Sequence, residues 1–347
     1  MHVFDRTTRM PDVPTSPLRA LRTPSSMAWV LCLALACAPI SDAANELLQI
    51  PELEKVAVIV DPQSAEALRA HVEFLAELEP ARSFGNPKSL ERAAQYVADA
   101  FEAAGGRVSR QNFEAQGETY TNVRCFFGPE GGARLIVGAH YDSFGDLPGA
   151  DDNASGTAVL IALASALKGV ELTQAVELVA YSLEEPPNYD TSDMGSARHA
   201  QLMVDEKVEL QGMICLEMLG YYSDEVDSQE FPVEGMELMY GTMADFLAVV
   251  GRPEDQELVE LVHASMQDTP LRVEKLLAPP GVTGVDFSDH RNYWEAGFQA
   301  TMITDTAFFR NAHYHEPTDT PDTLDYKRMA HAVQGVLAAT LALAGPE

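Results

Sequence analysis

Three nearly unbroken apolar runs, each ending in an acid or a histidine, constrain this chain more than any other feature. ARLIVGA (133–139) stops at His140, AVELVAYS (175–182) stops just before Glu184 and Glu185, and QGMICLEML (211–219) carries Glu217 inside it. A short run without polar alternation is the pattern of a strand covered on both faces, where neither side meets water. Helical stretches separate these runs. Over 89–105, Leu90, Ala94, Val97 and Phe101 fall on one stripe, and the pair Gly105 and Gly106 ends it. Residues 107–113 and 122–127 read as strands, 156–167 as a helix capped by Ser155, 299–305 as a last short strand and 330–343 as a closing helix. Segments 224–235 and 278–289 look loop-rich, and acids in stretches such as 253–260 read as solvated helix faces. Buried strands alternating with helices predict an α/β fold: one domain, a central mixed, mostly parallel sheet with helices on both faces, and a site at the carboxyl ends of the strands. No repeat and no break in composition interrupts residues 45–347, so the domain is expected to span them.

Residues 1–44 read differently. MAWVLCLALACAPI (27–40) follows Arg19 and Arg22 and precedes Ser-Asp-Ala-Ala, the layout of a signal peptide. The run is shorter than the roughly 20 residues a bilayer span requires. The expectation is an exported chain, periplasmic or secreted, with no membrane-spanning segment. Ala-Leu-Ala-Cys37 also resembles a bacterial lipid-attachment site, which makes an anchor at Cys37 the alternative to simple cleavage. Lys and Arg number 23 against 53 Asp and Glu, a formal charge of -30. That excess argues against nucleic acid or an anionic membrane as partner, and suits a soluble exported protein. Cys125 and Cys215 lie in strand-like runs and read as two buried thiols rather than a bridge.

Five local patterns carry chemistry, and each has a bland counterpart. His140-Tyr-Asp142 at a strand exit offers an imidazole with a carboxylate to hold its second nitrogen, or else a polar turn. GADDNASG (149–156) is an acidic turn entering a helix; capping explains one acid, whereas Asp151, Asp152 and Asn153 together exceed what a cap needs. Glu184-Glu185 are adjacent carboxylates that repel one another unless exposed, or unless one binds metal and the other moves protons. Glu217 is an acid in an apolar strand, costly when buried unless salt-bridged or metal-bound. NAHYHEPTDT (311–320) supplies His313 and His315 in a turn, as ligand or as turn cap.

Taken together these motifs resemble metallopeptidase family 28, which includes di-zinc aminopeptidases, carboxypeptidase-type members and glutaminyl cyclases. The resemblance covers most of residues 65–345. It implies that Asp151 bridges two zinc ions, with His140 and Glu217 completing one site and Glu185 and His315 the other. It also implies that Glu184 is the base, that Asp142 supports His140, and that a cis peptide follows Asp151. Many relatives have Asp where this chain has Glu217. Ser288, Asp289 and His290 are expected near the substrate. Two histidines and three carboxylates favour zinc, two ions per chain about 3.5–4 Å apart activating a water and polarising a carbonyl. The implied activity is exopeptidase action on a peptide substrate, aminopeptidase foremost. A glutaminyl cyclase-like acyltransferase is the alternative, and a non-catalytic binding domain would require a lost ligand or base. Phe308, Phe309, Tyr314 and Trp294 are candidates for an apolar pocket. Tyr314 is also a candidate substrate contact, and Arg310 is a candidate for a substrate carboxylate or for a surface ion pair.

Overall fold

The computed structural model describes residues 63–345. The leader over 1–44, with Cys37, lies outside the described residues, and so does the start of the expected domain. The elements in chain order are α1 (Gln63–Ala76), α2 (Pro87–Ala103), β1 (Arg107–Ala115), β2 (Glu118–Phe127), β3 (Arg134–His140), α3 (Gly156–Ala166), β4 (Ala175–Tyr181) and α4 (Gly195–Asp205). They continue with β5 (Leu210–Glu217), α5 (Glu237–Tyr240), β6 (Phe246–Gly251), α6 (Gln256–Met266), β7 (Arg272–Leu277), α7 (His290–Glu295), β8 (Ala300–Thr304) and α8 (Tyr326–Ala344).

Eight strands form one sheet in the order β1-β2-β4-β3-β5-β8-β6-β7. The middle four, β4, β3, β5 and β8, are mutually parallel. The hairpin of β1 and β2 joins antiparallel on one side, and β6 meets β8 antiparallel on the other. The continuous apolar runs therefore sit in the middle, as burial on both faces requires. The sheet is mixed and covered on both faces, as read from the sequence. β6 and β7, which the loop-like reading of the neighbouring segments did not resolve, extend it: FLAVVG is fully buried, whereas RVEKLL is a half-buried edge strand.

The two faces are covered unequally. On one, α3 packs on β3 beneath α1 and α8, α2 packs on β2, and α6 packs on β6 and β7. α3 is apolar almost all round, as a helix enclosed by other elements must be. On the other face α4 and α7 enclose Tyr181, Met203, Met213, Cys215, Tyr293 and Met302. Beyond them β6, β7 and β8 are roofed by irregular chain and the single-turn α5, which leaves space over those strands. Cys125 and Cys215 are buried free thiols. None of the described helices is long and apolar enough to cross a membrane.

A buried charge cluster in this second face centres on Glu177. Glu177 of β4 accepts from Arg124 and Arg134, each at 2.6 Å, and lies 3.0 Å from His199 Nε2. Burial works against its charge, but His199 and Arg124 outweigh it and hold its pKa down at about 2.

Candidate metal centre

Strand ends deliver the site. His140 closes β3, Glu217 closes β5, and Glu184 and Glu185 follow β4 after a left-handed Leu183. The acidic turn between β3 and α3 and the segment around His315 complete it. All of these residues except His315 are buried.

Asp152 stands at the middle. Its Oδ1 lies 3.3 Å from His140 Nε2, and its Oδ2 lies 3.1 Å from His315 Nε2. Glu217 Oε2 is 3.4 Å from His140 Nε2, and Glu185 Oε2 is 3.3 Å from His315 Nε2. Two groups result, His140 with Asp152 and Glu217, and Asp152 with Glu185 and His315, each compact enough to surround one ion. Glu184 sits beside the first, 3.9 Å from His140 Nε2.

This geometry corrects the expectation for Asp151. Its Oδ1 accepts from Gly220 N at 2.9 Å and its Oδ2 from Asn311 Nδ2 at 2.7 Å, so it ties two loops together on the far side of the turn. The backbone at Asp152 is extended (φ -101, ψ 93), which sends successive side chains to opposite sides. The cis peptide is likewise one residue later, between Asp152 and Asn153. Asp319 accepts from the amides of both Asp151 and Asp152 and fixes the turn. Asn153, not Ser155, caps α3: its Oδ1 accepts from Gly156 N at 3.0 Å and from Met218 N. Ser155 instead donates to Asp151 O and accepts from Leu219 N.

Supporting contacts orient the groups. Asp142 accepts from the amides of Glu184 and Glu185, both at 3.1 Å, and its carboxylate lies 3.4 Å from His140 Nδ1. It thus locks the β4 exit to the β3 exit. Ser288 Oγ donates to Glu217 Oε2 at 2.6 Å. Arg82, fully buried, donates to the carbonyls of Leu75, Tyr141, Pro148 and Gly149, spanning both ends of the loop that follows His140. No local pattern marks Arg82 in the sequence, because its partners are remote carbonyls. His313 is held by Thr318 Oγ1 at 2.8 Å and stays outside the cluster.

Too much like charge is buried here for the side chains to neutralise alone. Burial, together with neighbouring carboxylates, pushes Glu184 well above the usual carboxylate range and Glu185 up to about 8. Burial opposes charge on the two imidazoles, yet the acids around them pull His140 well above its ordinary value and His315 up to about 10. Asp152 goes the other way, held low against burial by the two histidines. Both ring nitrogens of His140, His315 Nε2 and Glu185 Oε1 have no hydrogen bond of proper geometry. Buried imidazole and carboxylate atoms without partners are costly, and convergence of such a donor set fits a divalent cation in each group.

An apolar cleft opens beside Glu217, with a volume of about 790 Å³ when the open solvent at its mouth is included. Its floor is one register row of the sheet: Glu217 pairs with Thr304, Thr304 with Ala248, and Ala248 with Glu274. Three interstrand steps make that row roughly 14 Å long. The next row, Met302, Val250 and Leu276, forms one wall, and Phe308, Phe309 and Tyr314 stand at the mouth and roof. Tyr314, Phe308 and Phe309 are therefore brought to the cleft as expected, whereas Trp294 is a core residue donating to Ala300 O. Arg310 is corrected too. It is buried, donating to Phe246 O at 2.8 Å and to Gln229, and its guanidinium covers the Phe246 ring at 4.7 Å, so it supports the cleft from behind. His290, bonded to Val285 O at 2.8 Å and packed edge-on to Trp294, is also structural. Asp289 is fully buried and lines no part of the cleft; burial raises its carboxyl to about 7.

A sheet whose strand ends gather two histidine and carboxylate groups around one shared aspartate, next to an apolar cleft, has the build of a cation-dependent hydrolase. The chain belongs to peptidase family M28, whose family model matches residues 122–340. It is 42% identical over 283 residues to the Escherichia coli protein named uncharacterized protein YfbL, covering 79% of this chain and 87% of that one. Its fold is similar to that of a zinc aminopeptidase from Bacillus subtilis (TM-score 0.66, 15% identity, 82% of this chain and 96% of that one). It is also similar to that of the glutaminyl cyclase from Fimbriiglobus ruber (TM-score 0.59, 22% identity, 81% and 96%).

Proposed function

We propose that the chain is a zinc-dependent exopeptidase of aminopeptidase type that removes large apolar residues from peptide amino termini. The observation that carries this reading is the position of Asp152, which presents one carboxylate oxygen to His140 and the other to His315. One ion would be held by His140, Asp152 and Glu217 and a second by Asp152, Glu185 and His315. When bound, such ions polarise the scissile carbonyl and lower the pKa of a water.

The remaining work falls to side chains. Glu184 accepts the proton that the attacking water gives up and delivers it to the amine nitrogen as the C–N bond breaks. Asp142 keeps Glu184 and Glu185 in one frame through their backbone amides and faces His140 Nδ1 at 3.4 Å. The cleft receives the first side chain of the substrate. Its far end is closed by β7 and the roof, and the site that begins it is dense in carboxylates, which favours a free α-amine over a continuing chain. The segment over 1–44 would direct this activity outside the cytoplasm.

A panel of aminoacyl anilides, with and without N-acetylation, tests the proposal. Free-amine leucyl and phenylalanyl substrates should be cleaved, chelator should stop the reaction, and zinc should restore it. Ammonia release from an amino-terminal glutamine peptide without anilide hydrolysis would replace this reading with a cyclase.

A further inference from the structure

His315 stands apart from its neighbours. Its side chain is 23% exposed, against 1% for His140 and 4% for Glu185. It also comes from an irregular segment with φ 54 rather than from a strand end, so the sheet does not fix its ring. Two aromatic rings do so instead. Phe144, four residues beyond the end of β3, stacks on one face with centroids 4.0 Å apart and planes 5° from parallel. Tyr314 stacks on the other at 3.9 Å and 15°. Tyr314 in turn contacts Phe308 of the cleft at 5.6 Å.

An imidazole between two nearly parallel rings cannot turn about its Cβ–Cγ bond without displacing one of them. The ring plane is thereby held with Nε2 toward Asp152 Oδ2 and Glu185 Oε2. Aromatic faces carry negative potential, so they also favour an imidazole that gains positive character on binding a cation. We propose that Phe144 is a positioning residue which, with Tyr314, orients His315 and sets cation affinity in the outer group, leaving the His140 group unaffected. The inference rests on the reading that both groups bind cations. It assigns Phe144 a role exerted through His315.

The test is calorimetric titration of cation-free protein with Zn²⁺, comparing wild type, Phe144→Leu and Phe144→Tyr. Wild type should show two binding steps. In Phe144→Leu one step should weaken by roughly tenfold or more, the usual effect of losing an outer support. The other should stay within about twofold, which also reports that the variant is folded. Phe144→Tyr, which keeps a ring, should restore the weakened step. Equal weakening of both steps, no change in either, or failure of Phe144→Tyr to restore would each overturn the clamp. A wild type that binds no Zn²⁺ would overturn the two-cation reading itself, and the clamp with it; two intact steps in all three proteins would overturn the clamp alone.

Discussion

Ala248→Leu tests how the cleft reads its substrate. Ala248 lies on the cleft floor two strands from Glu217, between Thr304 and Glu274 in a single register row. Two interstrand steps place it roughly 10 Å from the Glu217 strand, within the span that a leucine or phenylalanine side chain and its surroundings would occupy. Three added carbons would fill that space from below. A buried leucine or phenylalanine side chain is worth about 1.5–3 kcal/mol, and each 1.4 kcal/mol is a factor of ten. Excluding it should therefore lower kcat/KM for leucyl and phenylalanyl anilides by roughly 10- to 150-fold, while the alanyl anilide, which does not reach the floor, changes by less than about threefold. Steady-state kinetics on the three substrates, with a thermal melt to confirm folding, measures the ratio. An equal loss on all three would show general damage, and an unchanged ratio would show that the substrate side chain lies elsewhere.

Three further outcomes follow from the same geometry. Glu184→Ala should lower kcat by about 10²–10⁴-fold, the usual weight of a general base, with bound zinc unchanged by elemental analysis. Asp152→Asn should cost the protein both ions, whereas Asp151→Asn should retain them and lose about 1–3 kcal/mol of stability, because an amide cannot accept from both Gly220 N and Asn311 Nδ2. Glu177, with its pKa held at about 2 against an unfolded value of 4.5, contributes stability that is complete above about pH 4.5 and lost as pH falls through about 2. That shift corresponds to about 3 kcal/mol. Melts of Glu177→Gln should thus fall well below wild type at pH 7 and converge with it in strong acid; parallel curves would remove this charge from the account.

Much of the fold was legible because β3, β4 and β5 are enclosed on both faces, and enclosure writes itself as continuous apolar sequence. β7 was not, since RVEKLL at the sheet edge mixes charge with apolar residues in too short a span to show a period. At the site, the strand ends marked His140, the Glu184-Glu185 pair and Glu217 as candidates, and the family resemblance divided the pair into ligand and base. The choice between Asp151 and Asp152 could not be read locally: adjacent identical residues differ only in the direction the backbone gives them, and Asp319, more than 150 residues later, fixes that backbone. Arg310 shows the reverse failure. An arginine beside aromatic residues reads as a surface or ligand contact, and only the fold reveals the carbonyls that enclose it. Phe144 left no local signal either, because its partner His315 arrives from the other end of the chain.

The central claim is that Asp152 joins two cation sites. Crystals grown with zinc and measured on both sides of the zinc absorption edge test it most directly. Two anomalous peaks are expected, one in contact with His140 and Glu217 and one with Glu185 and His315, both touching Asp152. A peak at Asp151, or no peak touching Asp152, would contradict it.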